Sequence, residues 1–366
     1  MSVGIGIIGL AESGRTTIFN ALTRGCADTG VQAQKAPHVG IAKVPDSRLG
    51  VLTELFKPKK TTPAEVKYID IGASLKGLDK DTSISGEYLC QLSSVDALIN
   101  VVRAFTDESV PHPEGSVDMM RDMATMNLEL AYSDLAIIER RLNRIGSSLK
   151  AAKADERNSL NNEREFLGRI KSALEEDIPI REQDLTEEES RLISGYQFLS
   201  AKPLLTVVNI GEGQLPQAKA MEEDLNRQFS SPNQRITTLC GKLEMELAQL
   251  DDDSGASFLA EFGLTEAGLE RAIKLSYELL GLINFLTAGP DEVRAWPVRR
   301  GTIAPRAAGK IHSDIERGFI RAEVITYDDL IACGSIAEGR KRGLLRLEGK
   351  NYIVKDGDVI NFLFNV

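Results

Sequence analysis

The sequence predicts a doubly wound α/β domain that is interrupted by a helical hairpin and followed by a small α+β module. Three observations predict this fold class. An apolar run at residues 3–8 leads into a glycine-containing loop, and further short β-rich runs alternate with turns. The middle of the chain changes to a charged, helical pattern, and the last part returns to short strands and turns. We therefore expect three structural parts.

The loop after the first strand has the spacing of a phosphate-binding loop, G-x-x-x-x-G-[K]-[ST], with an arginine in the lysine position. Its backbone N–H groups can surround a phosphate, and the helix that follows directs its positive end at the same anion. Because the lysine is missing, the loop alone leaves an ordinary glycine-rich turn as an alternative. The residues expected to contact nucleotide are Gly9, Glu12, Ser13, Gly14, Arg15, Thr16 and Thr17.

Two of these side chains suggest altered chemistry. Thr16 occupies the position whose hydroxyl holds Mg²⁺ in such loops. The usual lysine reaches the β- and γ-phosphates as a compact charge, whereas Arg15 carries a longer, planar fork. The motif predicts a nucleotide pocket with changed catalytic groups.

Three further runs, residues 66–71, 97–102 and 204–209, are predicted as buried parallel strands because they are short, apolar and rich in β-branched side chains. Each ends near a polar residue. In a doubly wound sheet, ligands bind beyond the carboxyl ends of the strands, so these ends are expected to face the pocket.

Residues 127–196 are helical in pattern. Apolar side chains recur every three or four residues, which is typical of a coiled-coil seam. A polar stretch at residues 153–158 is predicted to be the turn of a hairpin that projects from the nucleotide domain. The seam residues are Leu135, Ile138, Leu142, Ile145, Leu149, Leu160, Leu167, Ile170 and Leu174.

From residue 283 onward the pattern predicts an α+β module of β-grasp type. Strands are expected at residues 293–298 and 319–325, with a helix near residues 301–311, and the run at residues 352–360 closes the module with a turn inside it. An Asp-Gly pair, Asp356 and Gly357, marks a turn near the end.

Composition excludes several classes of protein. The net charge is −10, which argues against extensive wrapping by nucleic acid, although the part from Leu279 onward carries a small excess of basic side chains. The four cysteines are scattered and the three histidines are isolated, so a disulfide framework, a zinc site or a histidine-based triad is not expected. The chain has no long apolar run or secretion signal, so we expect a cytoplasmic protein.

The whole chain resembles the YchF family of Obg-related P-loop nucleotidases. The segments that carry the resemblance are residues 18–23, 45–49, 57–60, 101–103, 115–118, 209–212, 287–289, 292–296, 318–324 and 347–358. The resemblance implies a nucleotide-binding domain at residues 1–126 and 197–282, a helical hairpin at 127–196, and a C-terminal TGS domain, a ubiquitin-like β-grasp module, at 283–366.

The resemblance also implies function. Members bind ATP in preference to or alongside GTP, together with Mg²⁺, hydrolyse it slowly and associate with ribosomes. Thr16 and Asp70 would hold the metal. Asn209 would meet the purine edge, and Glu212 stands where guanine-specific relatives have an aspartate. Cys240, Gly241 and Lys242 match the last loop that contacts the base.

The chain departs from its family at the phosphate end. Arg15 replaces the loop lysine, Gln34 falls where a switch threonine completes the Mg²⁺ shell, and Ala73 replaces the glycine that approaches the γ-phosphate. The glycine-rich switch after Gly77 is replaced by residues 81–85, Asp-Thr-Ser-Ile-Ser. These changes together predict weak or absent hydrolysis.

Two hypotheses follow. The first is a nucleotide-binding protein with weak or absent turnover, whose TGS domain and hairpin bind a ribosome or structured RNA. The second is an active, slow ATPase or GTPase of the YchF type that acts in translation or stress regulation. Retained Thr16 and Asp70 favour turnover, whereas Arg15, Gln34 and Ala73 favour its loss.

Overall fold

The computed structural model describes residues 3–25, 38–71, 86–229 and 231–365. These residues form two compact units. One contains residues 3–40 and 67–272, and the other contains residues 41–66 and 273–366. Within the described residues, no helix combines the length and the apolar character that a membrane span requires.

The helices and strands alternate as an α/β protein requires. In chain order they are β1 (Gly4–Ile8), α1 (Arg15–Thr23), β2 (His38–Lys43), α2 (Ser47–Phe56), β3 (Lys60–Thr62), β4 (Glu65–Asp70), α3 (Gly86–Ser94), β5 (Ala97–Arg103), α4 (Met119–Ser148), α5 (Ala154–Glu175), α6 (Glu187–Ser194), β6 (Leu204–Asn209), α7 (Ala218–Phe229), β7 (Gln234–Leu239), α8 (Gly241–Leu247), α9 (Asp252–Glu261), α10 (Gly268–Leu279), β8 (Leu282–Ala288), β9 (Glu292–Arg299), α11 (Ala304–Ile311), α12 (Ser313–Arg317), β10 (Phe319–Thr326), α13 (Tyr327–Cys333), α14 (Ile336–Lys341), β11 (Arg346–Glu348) and β12 (Asp358–Phe364).

The predicted parallel sheet is confirmed. Its strand order is β2-β4-β1-β5-β6-β7, and β1 pairs in parallel with β4 and β5. Strands β5, β6 and β7 continue the parallel pairing. Every residue of β1, β5 and β6 is buried, as expected for strands covered on both faces. Their carboxyl ends bring the glycine loop, residue 103 and residue 209 to one edge of the sheet.

The coiled-coil seam is also confirmed, but the hairpin helices differ from the prediction at their ends. Helix α4 begins at Met119, before the expected boundary at 127, because Asp118 caps it by accepting hydrogen bonds from the N–H groups of residues 120 and 121. The polar stretch 153–158 lies almost entirely in the first turn of α5, so the turn itself is residues 149–153. Ion pairs between the two helices, Arg141 with Glu163 at 2.7 Å and Lys171 with Glu139 at 2.9 Å, flank the apolar seam.

Helix α4 is continuous from the sheet into the hairpin. Its first turns pack Met123, Met126 and Leu130 against strands of the parallel sheet. Farther along, the buried Asp134 accepts hydrogen bonds from the N–H groups of Leu199 and Ser200 at 2.8 and 2.7 Å. Burial raises the pKa of Asp134 to about 6, although these hydrogen bonds act in the opposite direction. The base of the hairpin is therefore fixed to the chain that enters β6.

The C-terminal unit has the predicted β-grasp arrangement. Hairpin β8–β9 is antiparallel, β12 pairs in parallel with β8, and β10 lies antiparallel to β12. Helix α11 packs its alanines on this sheet beside Phe285 and Phe362. The expected Asp-Gly turn lies at Asp356 and Gly357, directly before the last strand, which covers Asp358–Phe364 and so includes only the end of the run at residues 352–360. The Asp358 carboxylate accepts hydrogen bonds from the Lys355 N–H and the Tyr352 hydroxyl, which closes a turn before the strand begins.

The C-terminal unit also includes residues 41–66, which the sequence assigned to the nucleotide-binding domain. Strand β3 is the outer strand of the second sheet, whose order is β11-β10-β12-β8-β9-β3. Arg48 pairs with Asp46 and with Asp356, both at 2.8 Å, and the Asn284 amide donates to Asp46 at 3.3 Å. The segment is therefore held by backbone pairing and by ion pairs. The division into three domains at the expected boundaries stays a prediction.

Candidate functional site

The glycine loop joins β1 to α1 and needs glycine at both of its ends. Gly9 has a φ of +155°, and a Cβ there would lie 2.5 Å from the carbonyl oxygen of Val101. Gly14 has a φ of +87°, and its Cβ would lie 2.2 Å from Nδ2 of Asn209. A side chain at either position would push the loop away from β5 or β6. The spacing seen in the sequence therefore reflects close packing of the loop.

The loop leaves polar groups available to an anion. Because Gly14, the N-cap residue of α1, has no side chain, it accepts no capping hydrogen bond from the N–H groups of the first helical turn, which includes Thr16 and Thr17. The Ser13 hydroxyl is buried and has no hydrogen-bond partner among the described residues. Glu12 is exposed and has a φ of +58°, which turns the loop backbone. These features fit a phosphate group.

Arg15 does not extend from the loop toward this space. Its side chain is 9% exposed, and its Nε lies 2.9 Å from Oδ1 of Asp70. Its Nη1 donates to the carbonyl oxygen of Gly9 at 3.3 Å. The Nε–Oδ1 contact is an ion pair that lacks the alignment of a hydrogen bond. The planar fork of Arg15 is therefore directed at Asp70 and the loop backbone.

The two residues expected to hold Mg²⁺ are adjacent, but they are already engaged. The Thr16 hydroxyl donates to Oδ2 of Asp70 at 2.8 Å, while Arg15 neutralises Oδ1. Asp70 is 1% exposed. As they stand, these contacts do not fit a Mg²⁺ site.

The residue expected at the purine edge, Asn209, connects three loops. Its Nδ2 donates to the carbonyl oxygen of Ser13 at 3.1 Å, and its Oδ1 accepts from the N–H of Gly241 at 2.9 Å. Only 4% of Asn209 is exposed. The side chain thus holds the phosphate loop and the Gly241 loop in register. Contact of Asn209 with a base stays a prediction.

The other predicted base-contacting residues lie near this junction. Oε1 of Glu212 lies 2.9 Å from Nζ of Lys242, and this exposed pair raises the pKa of Lys242. Cys240 is buried, and burial raises the pKa of its thiol. The Glu212 carboxylate therefore already forms an ion pair with Lys242 from the neighbouring loop.

One aromatic side chain in this region was missed by the sequence prediction. The position of a Cβ on Gly14 lies 3.9 Å from Cε1 of Phe105, and that of a Cβ on Gly211 lies 3.6 Å from Cβ of Phe105. The Arg103 guanidinium lies 4.4 Å from the centre of the Phe105 ring and donates to carbonyl oxygens of residues 105, 107 and 110. An arginine at the end of a buried strand, followed by an aromatic residue, was the available signal.

The remaining departures from the family lie outside the described residues. These are Gln34, Ala73 and the segment 81–85. The structure does describe Arg15, Thr16 and Asp70, which are the positions of the phosphate loop and of the expected metal-binding aspartate.

Comparison with known proteins identifies the family. A model for the C-terminal domain of YchF GTPases, described as a protein of unknown function (DUF933), matches residues 282–365. The chain is 41% identical over 370 residues to the ribosome-binding ATPase YchF of Bacillus subtilis, and 36% identical over 372 residues to that of Escherichia coli O157:H7, with 100% of each chain covered. The structure of Schizosaccharomyces pombe YchF GTPase superimposes with a TM-score of 0.84 at 28% identity, over 99% of this chain and 98% of that one. Full-length similarity at this level, together with the shared fold, shows that the chain belongs to the YchF family.

Proposed function

We propose that this protein binds purine nucleotide at the glycine loop, associates with ribosomes and hydrolyses nucleotide weakly or not at all. Its relatives in Bacillus subtilis and Escherichia coli carry the name ribosome-binding ATPase, which supports the first two parts. The geometry of Gly9, Gly14 and Asn209 supports a pocket whose phosphate and base ends are held together.

One observation carries the proposal of weak turnover. The cation of the phosphate loop, Arg15, is buried against Asp70. Phosphoryl transfer depends on positive charge directed at the phosphates as negative charge redistributes in the transition state. A guanidinium neutralised by a carboxylate at 2.9 Å contributes less of this stabilisation. The alternative, a slow but active ATPase or GTPase in translation or stress regulation, is favoured by the retained Thr16 and Asp70.

A side-by-side turnover assay tests the proposal. Purified full-length protein and the Escherichia coli O157:H7 relative would be incubated with ATP and with GTP, and phosphate release would be measured. We expect the rate for this chain to be lower by about tenfold or more, which corresponds to at least ~1.4 kcal/mol of lost transition-state stabilisation. Equal rates would support the active-ATPase alternative.

Restoring the loop lysine alone is expected to recover little hydrolysis. In the Arg15→Lys variant, Gln34 still stands where the family has a threonine hydroxyl, and Ala73 still stands where the family has a glycine. The combined variant Arg15→Lys, Gln34→Thr, Ala73→Gly is the matched comparison, and phosphate release is the measurement. If the single substitution gave turnover like that of the relative, the idea of a collectively altered phosphate end would be wrong.

The base end is expected to favour adenine or to discriminate weakly. Guanine-specific pockets pair a carboxylate with the guanine edge, whereas the Glu212 carboxylate forms an ion pair with Lys242. The lysine that guanine-specific relatives have between these two positions is also missing, because Ile210 and Gly211 separate Asn209 from Glu212. Calorimetric titration with ATP and GTP measures the preference, and Glu212→Gln is expected to change it little. Guanine binding tighter by about tenfold, or ~1.4 kcal/mol, would overturn this prediction.

Association with ribosomes or structured RNA is expected to depend on the basic side chains of the C-terminal module. Arginines and lysines contact phosphate oxygens without recognising sequence, and such contacts weaken with salt. Seven basic residues of this module are exposed: Arg299, Arg300, Arg306, Lys310, Arg340, Lys341 and Arg342. Acidic neighbours pair with Arg306, Arg340, Lys341 and Arg342. Arg300 and Lys310 have no acidic partner in the described part of the chain.

We therefore expect the double variant Arg300→Gln, Lys310→Gln to lower ribosome affinity by about tenfold at low salt. The variant Arg340→Gln, Arg342→Gln is the matched control, because it also removes two exposed charges, and we expect a smaller effect. Co-sedimentation over a range of salt concentrations is the measurement. If both variants bound ribosomes as tightly as the wild type, these basic side chains would not form the ribosome contact, and the hairpin would be the next surface to test.

A further inference from the structure

The ion pair at the phosphate loop suggests how this protein differs from relatives that use a metal. We infer that the Arg15 guanidinium provides the positive charge at Asp70 that a divalent cation provides in loops of this class, so that nucleotide binds here without a requirement for Mg²⁺. This inference rests on the proposed nucleotide binding and concerns the same site.

The first step is geometric. Both carboxylate oxygens of Asp70 have partners, with Oδ1 beside Nε of Arg15 and Oδ2 accepting from the Thr16 hydroxyl. Arg15 is further held by its bond to the Gly9 carbonyl oxygen, at the start of the loop. The guanidinium thus connects both ends of the loop region with the end of β4, where a metal would otherwise link loop and strand.

The second step is electrostatic. The Arg15 guanidinium and the Asp70 carboxylate carry opposite charges 2.9 Å apart and are both buried, so each offsets the charge of the other. Mg²⁺ gives up its hydration water reluctantly and needs carboxylate or phosphate oxygens to compensate. At Asp70 it would meet a neutralised, buried carboxylate and a guanidinium of like charge. The energetic advantage of adding the metal is therefore small.

The competing arrangement makes a different prediction. Arg15 could rotate toward the phosphates when nucleotide binds, which would release Asp70 for Mg²⁺. Nucleotide affinity would then depend strongly on the metal, as in a lysine-containing loop. The metal dependence of binding therefore separates the two arrangements, and it can be measured without any turnover.

The experiment is a calorimetric titration of the full-length protein with ATP and with ADP, once in excess Mg²⁺ and once in EDTA. We expect the two dissociation constants for each nucleotide to agree within about threefold. A loss of about tenfold or more in EDTA would overturn the inference while leaving nucleotide binding intact. Absence of binding in both buffers would instead overturn the proposed function, and the inference with it.

Two variants and a second measurement sharpen the result. Arg15→Lys is expected to introduce a metal dependence of about tenfold, because the shorter ammonium neutralises Asp70 less completely. Arg24→Lys, an exposed arginine just beyond the end of α1, is the matched control and is expected to leave binding unchanged in both buffers. Thermal unfolding confirms that each variant is folded.

Titration of Mn²⁺ into the wild-type protein with ADP, followed by electron paramagnetic resonance, should show no Mn²⁺ site tighter than that of free ADP. A tighter site would contradict the inference independently.

Discussion

Replacing Arg15 with alanine is expected to lower the free energy of unfolding by about 3–5 kcal/mol, measured without nucleotide. The reason is the state of Asp70, whose side chain is 1% exposed and lies against the guanidinium. Removing the arginine leaves a buried carboxylate whose side-chain partner, within the part of the chain that the structure describes, is the Thr16 hydroxyl. Breaking one side of such a pair is much more destabilising than removing both sides, because the remaining charge has lost its hydration.

A double-mutant cycle tests this expectation. Arg15→Ala, Asp70→Asn and the combined variant would be unfolded in urea together with the wild type. We expect the combined variant to be less destabilised than the sum of the two single variants. Arg24→Ala removes an exposed arginine near the same helix and should change stability by less than about 0.5 kcal/mol. A similarly small effect of Arg15→Ala would show that the pair does not contribute to the fold in solution.

Deleting residues 283–366 is expected to unfold the segment 41–66, even though this segment precedes the deletion by more than two hundred residues. Strand β3 pairs with β9 from Lys60 opposite Glu292 to Thr62 opposite Arg294, and α2 packs on the same strand. Arg48 also loses Asp356, and Asp46 loses Asn284. The segment is too short to retain its structure after these losses.

Hydrogen exchange measures this effect directly. In the truncated chain, the amides of α2 and β3 should exchange faster by about a hundredfold or more, equivalent to ~2.8 kcal/mol of lost protection. The amides of β6, whose neighbours β5 and β7 are retained, are the internal control. Unchanged exchange in α2 would mean that residues 41–66 fold with the unit that contains the parallel sheet. The expected unfolding is also the reason why charge substitutions test ribosome binding more cleanly than truncation does.

Features that depend on local patterns could be predicted from the amino-acid sequence. Buried strands were predicted at residues 66–71, 97–102 and 204–209 because short β-branched runs have few alternatives, and the structure has strands there. The hairpin seam followed from apolar residues at helical spacing, and the glycine loop from its position between strand and helix. Resemblance to the YchF family added the site residues, and the family assignment is confirmed by full-length similarity.

Contacts between residues far apart in the chain could not be predicted in this way and became visible in the folded structure. Arg15 was expected to replace a lysine at the phosphates, but its partner is Asp70, fifty-five positions later in the chain. Likewise, Asn209 holds the loops of Ser13 and Gly241, and β3 joins a sheet formed by the C-terminal residues. A sequence pattern records the character of each side chain, whereas the partner of a buried charge, an amide or a strand edge is set by which groups the complete fold leaves unpaired beside it.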